Sequence, residues 1–120
     1  MMGFIESNHA ILFLTFRTDT LGEVVAKFVV DTGYAGFLTL PPKDILTLGL
    51  TYVEPIQITL ADGSAGLVDS YQGVIVWHDS EMLADVLEMD SNPLLGAGLL
   101  RGSRLVIDFE ESGAVAVTPL

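Results

Sequence analysis

Apolar residues come in short runs along this chain, in part alternating with polar ones, and most runs are closed by Gly, Pro, Asp or Ser. That rhythm predicts strands joined by turns, because a period of two puts alternate side chains on one face. After a polar start, Ala10–Phe16 reads as a strand, Thr18–Gly22 as a turn and Glu23–Val30 as the returning strand. Tyr34-Ala35-Gly36 is turn-like, and Phe37–Leu40 resumes a strand that Pro41-Pro42 stops. Pro42–Gly49 is punctuated as a short helix, with proline in its first turn, Asp44 near the positive end of the dipole and Gly49 as the stop. Val53–Leu60 and Leu67–Trp77 flank Ala61-Asp62-Gly63-Ser64, whose Asp-Gly pair is a strong hairpin signal. His78-Asp79-Ser80 reads as a turn, Met82–Met89 as a strand and Asp90–Pro93 as a loop. A further apolar run, Leu94–Gly98, leads to Leu99–Gly102, which is long enough for one helical turn. Leu105–Phe109, the turn Glu110–Gly113 and Ala114–Val117 form a closing hairpin. Many short strands with one or two brief helices predict an all-β barrel or sandwich occupying residues 1–120 as a single domain.

Composition narrows the class. Half of the residues are hydrophobic and mean hydropathy is +0.53, yet no run approaches the roughly 20 residues of a membrane span. The apolar excess therefore belongs in a core or an interface, and no membrane span is expected. No basic stretch precedes an apolar run at the start, so a cytoplasmic location is expected. The absence of cysteine excludes disulfides, thiolate metal sites and cysteine nucleophiles together, leaving oxygen and imidazole chemistry. The formal charge is −11, with acids scattered from Glu6 to Glu111, which argues against nucleic acid as a partner because phosphate binding needs clustered Lys and Arg. His9 and His78 fit turn positions, no His or carboxylate pair has metal-ligand spacing, and neither metal nor cofactor is expected.

One stretch invites chemistry. Phe28-Val29-Val30 is a buried-strand pattern that ends on Asp31-Thr32-Gly33, which delivers a carboxylate to the end of a rigid element. By itself the triplet also fits an ordinary turn, since Asp and Thr bond their own backbone and Gly permits positive φ.

Taken together with Leu94-Leu95-Gly96 and the later Leu105-Val106-Ile107-Asp108-Phe109, Val29-Val30-Asp31-Thr32-Gly33 resembles the retropepsin-like aspartic proteases, including their small bacterial members. The resemblance runs through nearly the whole chain in order and spacing, and it implies an acid-protease barrel in which Asp31 is the catalytic carboxylate. It further implies that Thr32 and Gly33 hold the active-site loop, that Gly96 lets the second apolar strand approach that loop, and that the hairpin tip Ala61, Asp62, Gly63 and Ser64 is a flap over a polypeptide substrate. Only one Asp-Thr/Ser-Gly triplet is present, because Asp69-Ser70, Asp79-Ser80 and Asp90-Ser91 are followed by Tyr, Glu and Asn. The implied chemistry uses two aspartates, so the resemblance implies a homodimer, with the N-terminal residues and Ala114–Leu120 as the strands expected to interlace. Two positions depart from the retroviral pattern: Ala97 and Gly98 stand where an Arg and an Asp or Asn are common, and Tyr34-Ala35-Gly36 lacks the charged residue that would meet that Arg. A non-catalytic β-barrel binding or dimerisation module with the same fold is the alternative. A phosphoryl-transfer enzyme is weaker, because Gly33 stands where a second acid would be expected.

Overall fold

The structure, a computed structural model, describes residues 1–60 and 62–120. Its chain order is β1 (Met2–Glu6), β2 (His9–Thr18), β3 (Gly22–Asp31), β4 (Leu38–Leu40), α1 (Pro42–Leu48), β5 (Thr51–Thr59), β6 (Ala65–Trp77), β7 (Ser80–Glu88), β8 (Leu94–Gly96), α2 (Ala97–Leu100), β9 (Ser103–Ile107) and β10 (Ala114–Pro119).

Local chemistry sets the turns. Ser7-Asn8 and His78-Asp79 both have positive φ at their two central positions (49° and 66°; 49° and 64°), the backbone of the primed turns that match strand twist. Between β2 and β3, the Thr18 hydroxyl donates to the Gly22 carbonyl (2.8 Å) and accepts the Leu21 N–H (3.0 Å). Gly49 caps α1 in the left-handed conformation at φ 63°, its N–H reaching the carbonyls of Ile45 and Leu46.

The strands lie in the order β5-β6-β7-β4-β8-β3-β2-β1-β10-β9, and a second pairing, Phe16 with Ile75 and Arg17 with Val74, joins β2 to β6. Six strands, β6-β7-β4-β8-β3-β2, thereby close into a barrel. Period-two alternation fills it: Leu12, Leu14 and Phe16 of β2 point inward with Phe28, Leu38, Ile75, Val86 and Leu95. Phe16 and Phe28 stack at 6.2 Å. Outside the barrel, β1, β10 and β9 extend the sheet, with Ile5, Val115 and Val117 buried beneath it.

The all-β expectation holds, and three elements differ from it. The polar start is a strand: β1 pairs with β2 through the Ser7-Asn8 turn, and its single buried side chain, Ile5, is too little apolar signal to mark a strand in sequence. The second helix begins at Ala97 and ends at Leu100, not at Gly102, because Gly102 has φ 84°, a left-handed conformation that cannot continue a helix. The terminal strands expected to interlace with a partner instead pair with each other, Met2 with Ala116 and Phe4 with Ala114. Since β1 also pairs with β2 and β10 also pairs with β9, both edges of each are occupied within one chain.

Candidate active site

β3 ends on Asp31, deep in the sheet. It runs parallel to β8 with Val29, Val30 and Asp31 opposite Leu94, Leu95 and Gly96, and β4 lies on the far side of β8. Asp31 is thus fixed at the mouth of the barrel by a strand whose neighbours hold both sides. Beyond it the chain turns at once: the Tyr34 N–H donates to the Asp31 carbonyl (3.2 Å), and the Gly33 N–H donates to Asp31 Oδ1 (2.9 Å). The carboxylate is half-buried, and that amide is its hydrogen-bond partner among the described residues. Thr32 is exposed beside it.

A second chain segment locks this turn from behind. The N–H groups of Gly96, Ala97 and Gly98 donate in succession to the carbonyls of Phe37 (2.7 Å), Tyr34 (2.7 Å) and Gly36 (3.0 Å). The approach is so close that a Cβ on Gly96 would overlap the Gly36 carbonyl oxygen and lie 2.7 Å from the Tyr34 oxygen. On Gly98 it would meet the oxygens of Ala35 and Gly36 at 2.7 and 2.9 Å. Both glycines are therefore required by backbone approach. Gly98, a departure from the retroviral pattern, has a steric reason in this chain: α2 sits against the loop where a longer side chain has no room.

Three supporting residues are invisible to sequence reasoning. The Tyr34 ring lies across Gly96 and Gly36, whose added Cβ atoms would strike it, and burial followed by the charge of Asp85 pushes its hydroxyl pKa up. Thr39, fully buried in β4, accepts the Leu94 N–H at its hydroxyl oxygen (3.0 Å) and so ties β4 to the start of β8. Ser70, also buried, donates to the Glu54 carbonyl (2.6 Å) where the β5–β6 register slips between Tyr52 and Glu54. A polar residue in a short apolar run was the one available signal, and it carries no partner's name.

The β5–β6 hairpin stands away from the barrel. Nearly every residue of β5 is exposed, including the apolar Tyr52, Val53 and Ile56, and Leu67 on β6 is 74 % exposed. Of the expected tip residues, Ala61 lies outside the described residues. Asp62, Gly63 and Ser64 form a tight turn: the Ser64 N–H (2.9 Å) and hydroxyl (2.5 Å) donate to Asp62 Oδ1, and Gly63 takes φ 85°. The bonds from Ser64, hydroxyl first and amide second, pull the Asp62 carboxyl below its ordinary 3.8. The tip's hydrogen bonds stay within the tip, and none reaches the Asp31 loop among the described residues.

Among the described residues no three His, Asp or Glu side chains gather as a metal would require. No helix among them is long and apolar enough to cross a membrane. A cavity of about 560 Å³ lies between α1 and β3, lined by Ile11, Lys27, Asp44, Leu48 and Pro93, and Asp31 does not border it. Chemically, a single carboxylate can take or give one proton but cannot do both to two groups at once.

The architecture matches a known one. The crystal structure of a retropepsin-like aspartic protease from Rickettsia conorii superposes with a TM-score of 0.58, covering 98% of this chain and 91% of that chain at 18% sequence identity. The fold is retropepsin-like. Neither a family model nor a curated protein sequence matches the chain. In this barrel Asp31 lies at the end of the parallel β3–β8 pairing, and the β5–β6 hairpin is the exposed one.

Proposed function

We propose that this chain is one half of an aspartic endopeptidase, which acts as a homodimer with two Asp31 side chains sharing one proton. The observation that carries this reading is the position of Asp31 in a retropepsin-like fold: a half-buried carboxylate at a strand end, one oxygen held by the Gly33 amide and its backbone paired to Gly96. Two carboxylates about 3 Å apart cannot both ionise, so one stays protonated. The ionised member takes a proton from water, whose oxygen attacks the scissile carbonyl carbon. The protonated member gives its proton to the carbonyl oxygen, making a neutral gem-diol. Collapse re-forms the C=O bond as the C–N bond breaks, the hydroxyl proton returns to one carboxylate, and the leaving nitrogen takes a proton from the other. The substrate is a polypeptide in extended form, and the β5–β6 hairpin closes over it as a flap, burying apolar surface that one chain leaves exposed.

The test is cleavage of an unstructured polypeptide such as reduced casein, followed between pH 3 and 7 with wild type and Asp31→Asn. The variant is expected to lose activity by about 10²–10⁴-fold, the usual worth of general acid–base catalysis, while keeping its fold. Equal cleavage by the two proteins overturns the proposal. The alternative, a binding module without turnover, rested on the departures at Ala97 and Gly98. The packing requirement at Gly98 removes much of its support.

A further inference from the structure

On the side away from β2, β3 is paired along only part of its length. β8 covers Val29, Val30 and Asp31, and Pro93, just before β8, accepts the Val29 N–H at its carbonyl (2.9 Å). The rest of β3, from Gly22 to Phe28, pairs with β2 alone. The β2–β3 register runs without a bulge from Ile11 with Val29 to Thr18 with Gly22, so the backbone groups of β3 alternate strictly between its two sides. Val29 turns its N–H away from β2, and Lys27 and Val25, two and four residues earlier, therefore do the same. Among the described residues neither their N–H groups nor their carbonyls have a partner.

This open edge is one wall of the 560 Å³ cavity beside α1. Side chains from both faces of β3 line it, Val24 and Ala26 from one and Val25 and Lys27 from the other, which happens where a cavity meets a strand edge-on. The opposite wall is α1, through Asp44, Thr47 and Leu48. From Glu23 to Lys27 the edge is five residues, about 16 Å at roughly 3.3 Å each. Charge is uneven along the groove. The Lys27 ammonium is taken by Glu6 (2.6 Å), whereas Asp44 is in no ion pair among the described residues. The groove thus offers strand donors and acceptors on one side, and apolar surface with one unpaired carboxylate on the other.

We infer that this groove docks an extended polypeptide segment of a partner protein, which adds a strand to β3 in line with β8 and carries a Lys or Arg that meets Asp44. N–H and carbonyl groups repeating every second residue are matched by another strand's backbone, and main-chain bonds then supply affinity while the flanking side chains select sequence. Apolar residues of the segment pack against Leu48 and Pro93, and its base balances the one lining carboxylate left without a cation. Asp31 does not border the groove, so the docking stands whether or not the chain cleaves peptides.

The probes are capped hexapeptides in which Val alternates with Thr and Lys replaces each Thr in turn, with Glu in place of Lys, or every amide N-methylated, as controls. Amide hydrogen exchange is read by NMR on the wild type and on Asp31→Asn, which separates docking from cleavage. Without peptide, the Val25 and Lys27 amides are expected to exchange at least about tenfold faster than those of Ala26 and Phe28, which face β2. A saturating Lys peptide is expected to slow them by at least about tenfold in both proteins. Thr47→Trp, which fills the groove from an exposed position on α1, is expected to abolish that protection, and Asp44→Lys to weaken the Lys peptide at least about threefold. Several results overturn the inference: Val25 and Lys27 as slow as Ala26 without peptide, no protection by any Lys peptide, or equal binding of the Glu or N-methylated controls. Undiminished binding to Thr47→Trp overturns it as well. So does protection that grows with protein concentration alone, which would put a second copy on this edge.

Discussion

At the scale of single residues, the candidate site is held by atoms that are missing. Gly96 and Gly98 have no Cβ where a Cβ would strike backbone oxygens, and backbone cannot swing aside as a side chain can. Gly96→Ala is expected to cost about 1–3 kcal/mol, the usual range of overpacking, and to displace the Tyr34–Phe37 loop that follows Asp31. Gly33→Ala is the contrast: its added Cβ would meet Asp31 Oδ1 at 3.2 Å and nothing else, so its loss of stability is expected to be much smaller. Urea midpoints for the two variants check the order, and a Gly96→Ala protein as stable as wild type would remove the steric account. Asp31-Thr32-Gly33 and Gly96 were legible in the sequence because each is a residue type that few positions demand. Tyr34, Thr39 and Gly98 were not, because what they do is decided by a segment far along the chain.

At the scale of elements, legibility followed the strength of local chemistry. α1 was bounded correctly by Pro42 and Gly49, whose backbone preferences are intrinsic, and the strands β2, β3, β6 and β7 were legible from runs long enough to show their period. β1 was missed because five residues with one buried side chain show no period, and the Ser7-Asn8 turn that defines it is common loop material. The β5–β6 hairpin owes its tip to Asp62. The Asp62 carboxyl is held below 3.8 in the folded protein, so the charged form is the one the tip stabilises. The ordering is present above pH 4 or so and is lost as pH falls through the lowered value. The Ser64 amide is therefore expected to lose its hydrogen-bonded chemical shift once acidification protonates Asp62, while Gly49 at the α1 cap does not move. An NMR titration checks this, and a Ser64 amide indifferent to pH would show that Asp62 does not hold the tip.

At the scale of the whole molecule, charge and apolar surface pull in opposite directions. Each copy brings a net charge of −11 to any self-association, which repels, while the exposed Met2, Phe4, Val106 and Ile56 favour burial. Salt screens the first and spares the second. Raising ionic strength from about 0.01 to about 0.1 M shortens the Debye length from roughly 30 to about 10 Å, so the dissociation constant of the proposed dimer is expected to fall over that range. Sedimentation equilibrium measures it, and a constant that rises with salt would mean that oppositely charged surfaces, not apolar ones, make the contact. The barrel itself was legible only as a class. Its closure depends on Phe16 meeting Ile75 and on β8 entering between β3 and β4, pairings that no local pattern encodes.

That insertion of β8 also fixes when the molecule can exist. Until residues 94–96 are in place, β3 and β4 have a gap between them, and the barrel is an open sheet with its centre strand missing. During synthesis the residues that precede β8 would leave the ribosome with Val29–Asp31 and Leu38–Leu40 as bare edges, and folding would wait on a contact between distant parts of the chain. The carboxylate is therefore among the last things the nascent chain sets in position, so a truncated product made during translation carries Asp31 without the geometry around it.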